Sequence, residues 1–362
     1  MSLALRLAER GLGKTSPNPM VGAVVVSKGR IVGQAYHHAA GQPHAEALAL
    51  KQAGALAKGG TLYVTLEPCS HLNKRTPPCA PVVIRSGVRR VVVAMTDPNP
   101  QVSGKGIAQL RRAGLAVTVG VARQEAEMLN RAYVHWMRTG RPYVILKAGM
   151  TLDGQIATAG GESKWITGLR ARQDAHRLRS RVDAVMVGVG TVVHDDPSLT
   201  ARRPPHLTAL AVRQPVRIVV DSRIRTPRSA KILKQQHQAK TVIATTAAAP
   251  IARRRAFEAR GIEVLEVPGG RRRVSLKGLL GLLGRRGLVS VMVEGGGELN
   301  AAMLASNLVN KVRLYVAPTL LGGNQSKGVI GGGGSRRLAQ AWKLRQVRMT
   351  RLGADMLIEG DL

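Results

Sequence analysis

Short runs of β-branched residues alternate with helical stretches through the first 140 residues of this 362-residue chain, and no other feature limits its fold so strongly. "VGAVVVSKGRIVGQAY" reads as two strands around a Lys-Gly turn, and "HAEALALKQAG" as a helix closed by Gly54. "TLYVTLEP", "VRRVVVAM" and "LAVTVG" read as strands. "APVVIRSG" and "IAQLRRAG" read as helices, and "QEAEMLNRAYVHWM" as one longer helix. Strands that alternate with helices in this way bury a sheet between helical layers, so the fold class is α/β. The opening "MSLALRLAERG" is a short amphipathic helix; Arg6, Glu9 and Arg10 interrupt its apolar face, which argues against a signal peptide.

The pattern breaks at "RTGRPYV", where Gly140 and Pro142 stop the preceding helix. A boundary there divides the chain into domains over 1–141 and 142–362, each of ordinary size. In the second, "YVILKAG", "DAVMVGVG", "VRIVVDS", "KTVIATT", "LVSVMVEGGG" and "KVRLYVAP" read as strands, outnumbering the helices "LRARQDAHRLRSR" and "ELNAAMLASN". The closing "LRQVRMTRL" and "ADMLIEG" read as a hairpin. No apolar run reaches the roughly 18 residues of a membrane span, so a cytoplasmic protein is expected. Lys and Arg number 55 against 21 Asp and Glu, for a net charge of +34. Such an excess raises the question of nucleic-acid binding. Aromatics make up only 2% of residues, which leaves few platforms for base stacking, and the basic runs Arg253–Arg255, Arg271–Arg273 and Arg285–Arg286 are short and scattered. Specific nucleic-acid binding is therefore disfavoured against loose attraction of polyanions, and the plain alternative is a generally basic surface suited to phosphorylated ligands.

Both cysteines, Cys69 and Cys79, fall within "TLEPCSHLNKRTPPCA". In a reducing compartment two cysteines argue against a structural disulfide and for a metal site, a reactive thiol or plain core residues. "PHAE" opens a helix with His44 and Glu46, "EPC" ends a strand at Cys69, and "TPPCA" opens another helix at Cys79. One His and two Cys leave a tetrahedral zinc one open position for water. Cys79 at a helix start gains thiolate character from the helix dipole. Glu46, two residues from His44, can reach such a water without being a ligand, which is the H-x-E…P-C…C pattern of zinc nucleobase deaminases. Incidental packing cysteines and a closed structural site with His71 as fourth ligand are the competing readings; the second leaves Glu46 without a task.

The chain resembles the family of bifunctional riboflavin-biosynthesis deaminase–reductases over essentially its whole length. The resemblance rests on "SPNPMVGAVVV", "YHHAAGQPHAEALAL", "YVTLEPCSH", "TPPCAPVVI", "VVVAMTDPNPQVSGKG", "LNRAYVHWMRTGRPYVILKAGMTLDG", "GESKWITG" and "GVGTVVHDDPSLT". It implies a cytidine-deaminase-like three-layer N-domain with zinc on His44, Cys69 and Cys79 and Glu46 as proton shuttle. The implied reaction is hydrolytic deamination of 2,5-diamino-6-ribosylamino-4(3H)-pyrimidinone 5′-phosphate, with substrate contacts at Asn18, His37, His71 and Arg75. One departure stands out. The family spaces the cysteines by eight residues with a Gly after "CSH"; here nine residues, 70–78, intervene and "LNKR" has no Gly. Asn73 can take the left-handed conformation that such a Gly supplies.

Residues alone say less about the second half. "LVSVMVEGGGEL" is a strand, a glycine turn and a helix start, where backbone N–H groups can approach a phosphate; it is not a GxGxxG fingerprint. The resemblance implies a dihydrofolate-reductase-like C-domain that uses NADPH to reduce the ribosyl chain to ribityl. It places cofactor contacts at Gly149, Trp165, Thr191, Asp195, Ser222, Gly296 and Gly297. Substrate contacts fall at Lys147, Asp153, Ser163, Arg179, Leu199, Arg202 and Glu294, with Arg179 and Arg202 as phosphate clamps. A homo-oligomer, dimer or tetramer, is a family expectation. The runner-up readings are a reductase alone, its deaminase impaired by the longer Cys69–Cys79 loop, and a zinc-bearing nucleic-acid-binding protein or nucleic-acid deaminase.

Overall fold

The computed structural model describes residues 1–70, 77–202, 213–269 and 272–362. The chain divides into two compact units, Met1–Gly140 and Arg141–Leu362. In the first, α1 (Ser2–Glu9) precedes the hairpin β1 (Gly22–Ser27) and β2 (Arg30–Tyr36), then α2 (Ala45–Ala53), β3 (Thr61–Leu66), α3 (Cys79–Arg85), β4 (Arg90–Met95), α4 (Lys105–Arg112), β5 (Ala116–Val119), α5 (Arg123–Leu129) and α6 (Arg131–Thr139). The sheet order is β2-β1-β3-β4-β5. β1 runs antiparallel to β2 and β3, whereas β3, β4 and β5 are parallel. Val25, Leu62, Val64, Val91 and Val93 pack beneath Ala45 and Ala49 of α2 and Leu110 of α4.

The expected single helix over "QEAEMLNRAYVHWM" is instead two, α5 and α6, jointed at Asn130 with φ −100° and ψ 21°. The reason is tertiary. The Asn130 side chain accepts from the Met20 amide at 2.8 Å and donates to the Met20 carbonyl at 2.9 Å, tying the joint to the loop before β1.

The second unit contains β6 (Tyr143–Thr151), β7 (Gln155–Ala157), α7 (Leu169–Arg179), β8 (Ala184–Gly188), α8 (Val189–Asp195), β9 (Val216–Val220), β10 (Thr241–Thr245), α9 (Ile251–Glu258), β11 (Glu263–Glu266), α10 (Leu276–Arg285), β12 (Ser290–Val293), α11 (Gly297–Ala305), β13 (Lys311–Ala317), β14 (Lys327–Gly328), β15 (Arg345–Leu352) and β16 (Asp355–Asp361). Its large sheet has the order β11-β10-β9-β8-β12-β6-β13-β16-β15. Strands from β11 to β13 are parallel, and β16 and β15 close one edge antiparallel. Residues along β8 and β12 alternate between two cores. Ala184, Met186, Val291 and Val293 face α10 and α11, whereas Val185, Val187 and Met292 join Val192 of α8 and Phe257 of α9. Burial on both faces makes such strands read as unbroken apolar runs. The short elements α8, α9, α10 and β11 had left no clear trace in the sequence pattern; arginines crowd α9, and α8 continues a strand-like valine run.

α2, which follows His44 and carries Glu46, lies so close on β2 that only glycine fits at position 33. A Cβ there would stand 2.1 Å from the Ala49 carbonyl oxygen and 3.0 Å from Ala53 Cβ. Gly33→Ala is therefore expected to destabilise the first unit by about 1–3 kcal/mol. Urea unfolding of the full chain checks this; an unchanged midpoint would contradict the close packing.

Candidate active sites

The C-terminal end of β3 and the starts of α2 and α3 bring the sequence-predicted ligands of the first unit together. His44 is the N-cap of α2 in extended conformation, and Cys79 is the first residue of α3. His44 Nδ1 lies 3.5 Å from Cys69 Sγ and 3.3 Å from Cys79 Sγ, and the three ligating atoms are all within 4.8 Å of one another. Tetrahedral zinc, with bonds of about 2.0 Å to nitrogen and 2.3 Å to sulfur, sets N···S edges of roughly 3.5 Å. The donor set and its spacing therefore fit zinc. The Cys79 amide also donates to Cys69 Sγ at 3.4 Å, a bond that favours a thiolate there.

Glu46 is buried on the first turn of α2, and its Oε2 has no hydrogen-bond partner. Burial, reinforced by the charge of Cys69, pushes its carboxyl up. A cation held by the neighbouring ligands acts in the opposite sense. His37 is also buried. Its Nδ1–H donates to the Pro43 carbonyl at 3.2 Å, and its Nε2 accepts from Asn18 Nδ2 at 3.2 Å. Burial lowers its pKa, in keeping with that neutral tautomer. Its ring meets His44 edge-on at 5.2 Å. A cavity of about 600 Å³ opens over these groups, lined by Asn18, His37, His44, Glu46 and Cys69. His71 and Arg75 lie outside the described residues, as does most of the lengthened inter-cysteine loop.

Sequence reasoning missed three supporting side chains. Glu67 of "EPC" gathers four backbone N–H groups, from Asp97, Gly104, Gly106 and Ile107, at 2.9–3.2 Å. That carboxylate binds the loop before α4 to the segment that carries Cys69. Asp97 of "TDPNP" lines the same cavity, accepting from the Tyr133 hydroxyl at 3.0 Å and the Asn99 amide at 2.9 Å. Burial pushes its carboxyl up to about 6. Asn130 is the third, through its double bond to Met20. Each stands in a motif quoted for the resemblance, so a signal existed; its physical meaning did not.

In the second unit, two adjoining cavities of about 410 and 440 Å³ share Ser163, Thr191, Asp195 and Gly296. The first also takes Lys147, Gly149, Trp165, Arg179, Leu199, Arg202 and Glu294; Gly297 lines the second, with the glycine-rich start of α11. Trp165 is 72% exposed, its ring lying under the Arg172 guanidinium at 4.6 Å. Ser163 Oγ donates to Asp195 at 2.6 Å, fixing the boundary between the cavities. Two expected residues stand apart from these walls. Asp153 accepts from the amides of Leu321 and Gly322, at 3.2 and 2.7 Å, and from the Thr151 hydroxyl, so its carboxylate ties two loops together. Ser222 Oγ accepts from the Val274 amide at 3.1 Å.

Arg179, expected as a phosphate clamp, points its fork at a carboxylate. Its Nε and Nη2 donate to Glu294 at 2.8 and 3.1 Å, and Lys147 Nζ reaches the same carboxylate at 3.0 Å. Arg202 is held only through Ser198 Oγ at 2.9 Å among its described hydrogen bonds. Burial works to raise the Glu294 carboxyl, but Arg179 and Lys147 outweigh it and bring the pKa to about 2.

Known proteins resemble this chain over both units. Residues 1–95 match the family described as the cytidine and deoxycytidylate deaminase zinc-binding region, and residues 142–358 the RibD C-terminal domain. The riboflavin biosynthesis protein RibD of Bacillus amyloliquefaciens is 44% identical over 356 residues, 98% of this chain and 94% of the relative. The structure of Acinetobacter baumannii RibD superposes with a TM-score of 0.90 at 39% identity, covering 99% of this chain and 97% of the other. A Thermotoga maritima protein described as a diaminohydroxyphosphoribosylaminopyrimidine deaminase and 5-amino-6-(5-phosphoribosylamino)uracil reductase superposes with a TM-score of 0.85 at 33% identity, covering 100% and 97%.

The depressed pKa of Glu294 carries a pH prediction. The folded carboxyl titrates near 2 against an ordinary 4.5, so its contribution is complete above the unfolded value and is lost as pH falls towards 2. The second unit should lose about 3 kcal/mol over that acid range. Glu294→Gln should flatten this limb and cost about 1–3 kcal/mol at neutral pH by leaving two half-buried cations without their carboxylate. Urea midpoints at neutral and acid pH decide; parallel pH profiles for both proteins would refute the ion triad.

Proposed function

Because the chain belongs to the RibD family of riboflavin-biosynthesis deaminase–reductases, we propose that a first domain, residues 1–141, carries the deaminase site and a second, 142–362, the reductase site. The enzyme works in riboflavin biosynthesis, with zinc and NADPH as cofactors. The substrate proposed for the first site is 2,5-diamino-6-ribosylamino-4(3H)-pyrimidinone 5′-phosphate. Its deaminated product then passes to the second, where the ribosyl chain becomes ribityl. The observation that carries the first assignment is the His44–Cys69–Cys79 cluster with the unpartnered Glu46 Oε2 beside it.

Zinc held by His44, Cys69 and Cys79 supplies the Lewis acidity that makes water nucleophilic at neutral pH. Glu46 takes the proton from the attacking water on Oε2 and returns it to the departing amine nitrogen, so that ammonia leaves neutral. Burial keeps that proton from bulk water. Asn18 and His37, already joined side chain to side chain, present fixed polar edges to the pyrimidine and ribose, and Arg75 meets the phosphate. In the second site, NADPH supplies the hydride. Gly149, Trp165, Thr191, Asp195, Gly296 and Gly297 orient the cofactor, with Ser222 holding an outer loop of that site. Ser163, Leu199 and Arg202 hold the substrate. Lys147, Arg179 and Glu294 form one charged unit, with Lys147 towards the reacting sugar and Arg179, beside Arg202, towards the phosphate; Asp153 acts by fixing nearby loops. The whole-length likeness to two-activity relatives favours this reading over a reductase alone and over a nucleic-acid-binding protein. A cytoplasmic homo-oligomer, dimer or tetramer, completes the proposal.

Glu46→Gln is expected to keep one zinc per chain and NADPH-dependent reduction of the uracil intermediate, while ammonia release falls at least about 100-fold. Zinc-quantified protein assayed for ammonia without NADPH makes the test. Loss of zinc in the variant, or persistent ammonia release, would remove Glu46 from its role. Zinc bound by the wild type without any ammonia release would instead favour the reductase-only reading.

A further inference from the structure

We propose that His176 couples substrate binding in the second unit to proton uptake: a sugar-phosphate dianion entering beside Arg202 and Arg179 draws one proton from solvent onto the His176 imidazole. This rests on the reading of that corner as the phosphate subsite. His176 stands on α7 one turn before Arg179 and lines the same cavity as Arg179, Arg202 and Glu294. Its Nδ1 is 3.4 Å from Arg179 Nη1, which also donates to the Thr200 carbonyl at 3.2 Å. A guanidinium can only donate, so Nδ1 must accept and the imidazole is neutral.

The surroundings explain why it stays neutral. Arg172 and Arg179 face it from α7, Arg202 from the segment after α8, Lys147 from β6 and Glu294 from β12; Lys231, Lys164, Asp195 and Asp196 complete the cavity walls. Burial first, then Arg179 and Arg202, push His176 down to about 4, with Glu294 and a hydrogen bond to the Thr200 backbone opposing. The acids nearby are already committed: Glu294 to Arg179 and Lys147, and Asp196 to Lys231 at 3.5 Å. The corner thus holds unbalanced positive charge. A dianion reverses the local field, and charging the imidazole becomes favourable. Protonation on Nδ1 then sets two donors against each other. The contact with Arg179 opens, and Nη1 turns to a phosphate oxygen. No covalent bond changes; one proton moves from solvent to Nδ1.

Calorimetric titration of the full chain with ribose 5-phosphate, in buffers of different ionisation heat, reads the proton count directly. Relative to His176→Asn, in which the proton released by the ligand's own phosphate is the same, wild-type protein should take up a growing fraction of one further proton as pH falls from about 8 to 6. Over that span its affinity should rise about tenfold more than that of His176→Asn, which keeps a hydrogen-bond acceptor but cannot titrate. His176→Gln serves as the second variant should the first fold poorly. No binding, or binding that Arg202→Met leaves unchanged, overturns the phosphate-corner reading and the coupling with it. Binding that is lost in Arg202→Met, with proton uptake absent in wild type or equal in wild type and both His176 variants, overturns the coupling alone.

Discussion

The Glu67 carboxylate is the interaction on which the first site depends. It sits at the end of β3, two residues before Cys69, and takes up four amides from the far side of β4. Those amides belong to a loop and to the first turn of α4, where backbone donors have no partner within the helix. Charged acceptors satisfy such donors with about 1.5–3 kcal/mol each, enough to hold an irregular segment in one conformation. Gly106 records the closeness of the arrangement, since a Cβ there would stand 1.9 Å from the Pro68 carbonyl oxygen. The metal ligand thus inherits its position from a carboxylate that touches no metal.

The same device recurs in the second unit with a different purpose. Glu294 ends β12 between neighbouring strands β6 and β8, and its two partners come from β6 and α7. An unpaired carboxylate at that depth would be strongly disfavoured; two cations make it tolerable and lock all three together. Asp221, ending β9, likewise accepts from the amide and hydroxyl of Thr226, at 2.7 and 2.8 Å. Parallel strands end together at one edge, where loops converge and polar groups concentrate. Acidic residues there organise loops first and present chemistry second.

The +34 charge finds only partial use in these sites. Arg336, Arg337, Lys343, Arg345, Arg348 and Arg351 lie exposed towards and along the edge strand β15. Cations on an edge strand discourage pairing with stray strands, which offers a structural reading for part of the excess. Other arginines serve as scaffolding. Arg217 is fully buried and spends its guanidinium on the carbonyls of Ser198, Lys234 and Ala239, which steadies the segment carrying Leu199 and Arg202.

By itself the sequence determined the alternation of elements, a break within "RTGRPYV" and which residues could serve as metal ligands. Periodicity and breakers are local properties; His44 and Cys79 stand at helix starts that propensity marks, and Cys69 lies in the loop just past the end of β3. The tertiary structure alone decided which charged side chains meet. The strand order β8-β12-β6-β13 is not sequential, so nothing local says that Glu294 falls between Lys147 and Arg179, or that the expected phosphate clamp is already committed. Asn130 broke a helix for a partner 110 residues away, and Asp153 and Ser222 each take up backbone amides from a distant loop. Residue type and spacing encode what a side chain can do; only packing assigns the partner, because the cost of burying charge is settled by whatever the fold places opposite it.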